Sequence, residues 1–254
     1  MIDIFLIPIA LLIILVMIHS WFGIRILERG IIFTDLAIGQ LAALGAAVSY
    51  GYFHGEYIYF WTLAFAFMGA LLITLGSHRK LHLEAYIGLL YVLGASGIMM
   101  VLAQSAEGME HFKSLLANDI LFTTDKDLYT SSAIYALIAL VIYFIYPKTK
   151  GVVKELLFFS LLAVTVTSSV QLAGVFVVFT LLIAPAMVAS MQTRYSPLLV
   201  AFGFGWFFSI AAVAIGFYYD LPTGYSIVFL GALLSLIFVL TKSSEKESED
   251  LESF

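Results

Sequence analysis

Asp35 opens the chemical reading of this sequence. It stands near the start of a long apolar stretch, where an unpaired carboxylate in a bilayer costs about 3 kcal/mol. At about 100° per residue, Gly39, Ala42, Ala46 and Ser49 share its face of a helix. An acid at the head of a small-residue stripe suits a ligand on a cation path between close-packed helices. The same pattern also describes a helix-packing face, with Asp35 capping or pairing Arg25 or Arg29. His19, at the end of the preceding apolar stretch, is a second candidate metal ligand or an interfacial hydrogen-bonder. Further on, Glu107 and His111 are i,i+4 neighbours with Glu110 beside them, and carboxylate plus imidazole suits a divalent ion such as zinc. Solvated charge is the plainer account of that group, and His54 and Glu56 form a weaker pair of the same kind. Glu84, after "RKLH", reads as helix-start dipole chemistry.

A second group of polar residues sits inside apolar sequence. "VTVTSSVQLAG" carries Thr165, Thr167, Ser168, Ser169 and Gln171, and "VFVVFTLLIAPAM" follows with Pro185 interrupting the next helix. Polar breaks at membrane depth line a cavity or sit against protein. With Gln40 they form a candidate translocation lining, the alternative being interhelical hydrogen bonds.

The elements that position these residues are membrane helices. The 254 residues are 62% hydrophobic and 11% charged, with a mean hydropathy of +1.05, against roughly 25% charged in a soluble domain. The fold class is therefore all-α and polytopic. A crossing needs about 20 mostly apolar residues, and nine segments qualify: 4–23, 31–53, 57–76, 84–104, 128–146, 155–170, 172–191, 197–217 and 223–241. The pair meeting near Ser169 is short, so eight crossings is the alternative count. With nine, ten of the twelve basic residues fall on one side, leaving Lys113 and Lys126 on the other. The positive-inside rule then places the N-terminus outside and the C-terminus in the cytoplasm. Residues 1–242 form the transmembrane domain, and 243–254 an acidic tail whose composition predicts disorder. The outer segment 105–127 has apolar residues at helical spacing and fits an interfacial helix. The first stretch lacks a basic n-region and a small-x-small cleavage site, so it reads as a retained span.

Several chemistries are excluded. No cysteine means no thiolate ligand, disulfide or thiol catalysis. No G-x-x-x-x-G-K-[ST] is present, so ATP-driven work needs a partner subunit. No H-E-x-x-H or G-x-S-x-G supports a membrane enzyme, and nothing points to nucleic acid.

Taken in order, "RGIIFTDLAIGQLAALGAAV", "EAYIGLLYVLGASGIM", "VTSSVQLAGVFVVFTLLIAPAM" and "YYDLPTGYSIVFLGALL" resemble the membrane permease subunit of bacterial zinc/manganese-type ABC importers, over about residues 25–240. The resemblance implies a homodimer in the bacterial cytoplasmic membrane, two cytoplasmic ATPase subunits, and an extracytoplasmic metal-binding protein. It implies import of a divalent ion by alternating access, zinc first and manganese or iron next, with no cofactor of the chain's own. Members of that family often carry an aspartate in the second span with a histidine four residues on. Asp35 matches the aspartate, Gly39 stands at the histidine position with Gln40 beside it, and His19 is the candidate substitute. The family usually has a longer cytoplasmic stretch between spans five and six, with the helix that docks the ATPase; here only "YPKTKGVVKE" joins them, and "MQTRYSP" is the alternative contact. A secondary carrier or channel, with Asp35 as a proton-coupling carboxylate, is the rival reading.

Overall fold

The computed structural model describes residues 3–79, 82–103, 120–192 and 194–252, with side chains described between 6 and 242. Helices account for nearly all of it, as a bilayer requires, since a helix satisfies its own backbone hydrogen bonds where water is absent. They are α1 (Asp3–Arg29), α2 (Thr34–Phe53), α3 (Ile58–Ser77), α4 (Leu83–Leu102), α5 (Asp125–Phe144), α6 (Gly151–Ala173), α7 (Val175–Ser190), α8 (Pro197–Tyr219) and α9 (Thr223–Glu252). Among the described residues, eight are long and apolar enough to cross a membrane. The all-α polytopic expectation holds.

Local chemistry explains the boundaries. Thr124 and Asp127 form a capping box at the head of α5: the Thr124 N–H donates to the Asp127 carboxylate at 2.9 Å, and the Asp127 N–H donates back to Oγ1. The fifth span therefore starts at Asp125, three residues before its apolar run, because capped acids favour a helix N-terminus. His54 ends α2 in the left-handed region at φ 52°, its N–H donating to the Ser49 carbonyl.

Two expectations need correction, the position of the break after the sixth helix and the effect of Pro185. The break between the sixth and seventh helices falls at Gly174 (φ 82°), not near Ser169. Glycine tolerates that backbone conformation, whereas the serines continue the helix by donating to their own backbone. The helix after the break, α7, has 16 residues, shorter than the about 20 a crossing needs, so the described residues hold nine apolar helices, eight of them full-length spans, in line with the nine-or-eight expectation. Pro185 does not interrupt α7, which stays helical on both sides of it; the missing N–H removes one bond without ending the helix. The last helix, α9, is drawn to Glu252. Lysine and glutamate are good helix formers, and extending an existing helix is easier than nucleating one.

The chain divides into two units, residues 1–29 with 176–254, and residues 30–175. In the first, the Trp206 indole N–H donates to the Ile13 carbonyl at 3.2 Å, tying α8 to α1. Gly23 of α1 approaches the Leu182 backbone of α7 so closely that a Cβ there would overlap its carbonyl.

In the second unit, α2 is the central helix, packed on α3, α4 and α6. Gly45 lies against the backbone of Trp61 on α3, and Gly94 of α4 lies over Gln40, where an added Cβ would stand 3.0 Å from the Gln40 Cβ. Such small-residue contacts let membrane helices approach closely and gain dispersion contacts, where lipid supplies no hydrophobic drive. Replacing Gly45 with valine should separate α2 from α3 and cost about 1–3 kcal/mol, the usual scale of overpacking. A lowered thermal-unfolding midpoint in detergent checks it, with Gly88→Ala, which meets open space, as the control.

Candidate functional site

The site grows from the inner face of α2. Asp35 stands in the first turn of α2 and is 2% exposed, with Oδ1 buried and lacking a hydrogen-bond partner among the described residues. One turn on, Gly39 begins the small-residue stripe. Gly39, Ala42, Ala43 and Ala46 form one wall of a cavity of about 70 Å³; Ile58 and Thr62 of α3, and Thr167, Val170 and Gln171 of α6, supply most of the rest. The stripe thus faces open space as well as packed helix. The space is ample to hold water, for which about 10–15 Å³ of room for its centre is enough.

Its polar groups are few and neutral. Thr62 Oγ1 donates to the Ile58 carbonyl at 2.7 Å, which leaves its oxygen able to accept. Thr167 Oγ1 is buried with no partner among the described residues. A buried hydroxyl without a bond costs about 1–3 kcal/mol, so this one fits a water or a passing hydrated solute.

Ser168 and Ser169, expected in the same lining, lie on another side of α6. The Tyr135 hydroxyl of α5 lies 3.0 Å from Ser168 Oγ and 3.1 Å from Ser169 Oγ. Both serines also donate to carbonyls of their own helix, Ser168 to Val164 and Ser169 to Thr165. Their protons are therefore engaged, and Tyr135 supplies the hydrogen that joins the helices. Tyr135 escaped the sequence reading because a mid-span tyrosine carries no periodic signal. Gln40 packs toward Gly94, away from the cavity lining. Ser49, the last residue of the expected stripe, donates to the Glu56 carbonyl at 2.7 Å and fastens the turn after α2.

Glu84 does more than begin α4. Its Oε1 accepts from the Phe33 N–H at 3.3 Å, joining the start of α4 to that of α2, while Oε2 is buried without a partner among the described residues. His19 lies in the other unit. Its Nδ1 is 2.8 Å from the Leu15 carbonyl; a carbonyl only accepts, so Nδ1 carries the proton. Nε2 is left with a lone pair, buried and unpartnered among the described residues, which is the form that binds metals. Arg25 donates to the Trp21 carbonyl at 2.9 Å and lies 3.6 Å over that ring. Pro185, in α7 of the same unit as His19, is buried. Glu107, Glu110 and His111 lie outside the described residues. Among the described residues no group of three or more His, Cys, Asp or Glu is positioned to hold a metal.

Residues 3–242 match the ABC 3 transport family. The chain is 22% identical over 232 residues to the manganese transport system membrane protein MntC of Halalkalibacterium halodurans, covering 81% of this chain and 79% of that one. It is 27% identical over 161 residues to a probable iron transport system membrane protein of Haemophilus influenzae, covering 57% of this chain and 59% of that one. Across the curated relatives matched, the chain spans between 59% and 79% of their length. In fold it is similar to a chain of PsaBC from Streptococcus pneumoniae in complex with Fab, with a TM-score of 0.72 and 20% identity, covering 91% of this chain and 89% of that one.

Tyr135→Phe should keep the ring and remove the hydroxyl bridge, lowering thermal stability in detergent by about 0.6 kcal/mol, the average for such bonds in membranes. Ser168→Ala in the Tyr135→Phe background should then cost less than in wild type, which a double-mutant cycle measures.

Proposed function

The chain belongs to the ABC 3 transport family, and from that premise we propose that it is the membrane permease subunit of an importer for a divalent first-row metal ion. ATP hydrolysis belongs to a separate subunit, because the chain has no phosphate-binding loop of its own. The observation that carries the reading is the juxtaposition in the second unit. A buried carboxylate with an unpartnered oxygen begins a helix face that continues into a cavity with its own unpartnered hydroxyl.

On this reading the ion reaches Asp35 along the Gly39–Ala46 face. Thr167 and Gln171 contribute neutral oxygen to its hydration shell, and Asp35 supplies negative charge at the head of the face. Carboxylate, hydroxyl and water oxygens suit manganese and ferrous iron better than a soft-ligand metal. The functions carried by the names of the manganese and iron relatives support the same order, placing both ahead of zinc for this chain. The mechanism is alternating access in a homodimer, fed by an extracytoplasmic metal-binding protein. The location is the bacterial cytoplasmic membrane with the N-terminus outside, an orientation supported by ten of twelve basic residues falling on one side when α7 counts as a crossing. His19, Glu107, Glu110 and His111 remain candidate ligands for capture or release.

A second reading, a carrier that needs no ATPase, is favoured by one observation. Between α5 and α6 there is only a single 3₁₀ turn, Tyr146–Lys148, with Thr149 and Lys150, too short for a docking helix. For the permease, coupling falls instead to the segment 191–196. There Gln192 brackets Tyr195, accepting from its N–H and donating to its carbonyl, each at 3.0 Å.

Uptake of manganese, iron and zinc into vesicles, with and without ATP and the partner ATPase, separates the readings. The permease reading expects ATP-dependent uptake, reduced at least tenfold by Asp35→Ala while Asp35→Glu retains part of it. Uptake indifferent to ATP but abolished by collapsing the proton gradient would replace it with the carrier. Normal uptake by Asp35→Ala would return Asp35 to a structural role.

A further inference from the structure

The turn between α5 and α6 carries a basic surface outside the proposed ion path. The fifth span closes at Lys148 and the sixth opens at Gly151, so Thr149 and Lys150 alone separate two membrane crossings. Lys154 follows one turn into α6, its Nζ 5.0 Å over the ring of buried Tyr146. Three ammonium groups therefore fall within seven residues, with Glu155 the one carboxylate from Tyr146 to Leu156. Lys148 and Lys150 are exposed. On either side, Phe144, Ile145, Val152 and Val153 are each at least half exposed.

That combination is specific about its partner. Aliphatic and aromatic side chains open on both flanks place the turn against hydrocarbon. A connection of two residues, at about 3.3 Å each, cannot lift the lysines clear of the headgroup layer. Lysine stems lie along apolar surface while their charges reach the polar boundary, and the anions found at that depth are lipid phosphates. We propose that the α5–α6 turn binds the headgroup of an anionic phospholipid through Lys148, Lys150 and Lys154. Tyr146 holds Lys154 in place from below. Lys150, at the N-cap of α6, makes no side-chain cap, so its ammonium is not spent on its own helix. A soluble protein would have to enter the headgroup layer to reach the same charges, which is why lipid is the assigned occupant.

The test is native mass spectrometry of the full chain released from nanodiscs containing equal phosphatidylglycerol and phosphatidylcholine. Wild type should retain phosphatidylglycerol preferentially. At about fivefold per lysine near a charged surface, K148Q/K150Q should lower that preference by roughly twenty-fivefold, and K148R/K150R should restore it. Equal retention of the two lipids by wild type overturns the proposal without recourse to any variant. An undiminished preference in a folded, monodisperse K148Q/K150Q protein overturns it as well. Loss of ATPase-subunit binding in K148Q/K150Q with the lipid preference intact would show a protein-docking surface and overturn it too.

Discussion

The structure depends on how closely α2 approaches its neighbours. In lipid, helices gain nothing by hiding apolar surface from one another, so association rests on backbone proximity, dispersion and buried hydrogen bonds. Gly45 against the Trp61 backbone and Gly94 over Gln40 set that proximity for α2 with α3 and α4. The same small residues explain the cavity: glycine and alanine bring helices together where the partner is backbone, and leave space where it is not. Gly39, Ala42 and Ala46 fall on the second kind of surface. Packing and passage are thus two outcomes of one composition.

Hydroxyl accounting separates structural polar groups from candidate functional ones. Thr62, Thr74, Ser132, Thr165, Thr180 and Ser235 each donate to a carbonyl four residues back. This bond hides the donor inside the helix and accounts for much of the serine and threonine in apolar sequence. Ser20, Thr167 and Ser209 are buried without one among the described residues. Of these, Thr167 lines the cavity, which gives that hydroxyl a place to find water. The Tyr135 bridge is the other departure, spending serine oxygens on a neighbouring helix. Few side chains of α5 are buried, Ser131, Tyr135 and Ile138 among them, so the bridge has a large share in its attachment to α6.

Much of this was legible beforehand. Apolar runs of about 20 residues give membrane helices with little competition from other folds, and most spans came within a few residues of their final bounds, while the first and last helices run on past theirs to Arg29 and Glu252. The errors lie where backbone conformation decides. Ser168 and Ser169 look like a break, yet they suit a helix when their hydroxyls bond back; Gly174 breaks it because φ reaches 82° there. Pro185 was read through its missing N–H alone, although one lost bond does not end a well-packed helix. The acid and its stripe were visible by helical spacing, since Asp35, Gly39, Ala42 and Ala46 need only a helix wheel. Thr62 and Tyr135 were not, because their roles depend on which helices become neighbours. Gln40 was assigned to the path by its polarity, but its position next to Gly39 rotates it toward α4.

If Asp35 lies on an ion path, the Gly39–Ala46 face of α2 is reached by water within the membrane. The chain has no cysteine, so single cysteines can be placed at residues 42 and 46, with residue 89 on an exposed apolar face as the lipid control. The measurement is labelling of each by a charged, water-soluble thiol reagent in sealed vesicles, with and without manganese. A wetted face gives labelling at 42 and 46, slowed by manganese, and none at 89. Equal protection of all three positions would mean that the face is dry packing, and would contradict an ion path there.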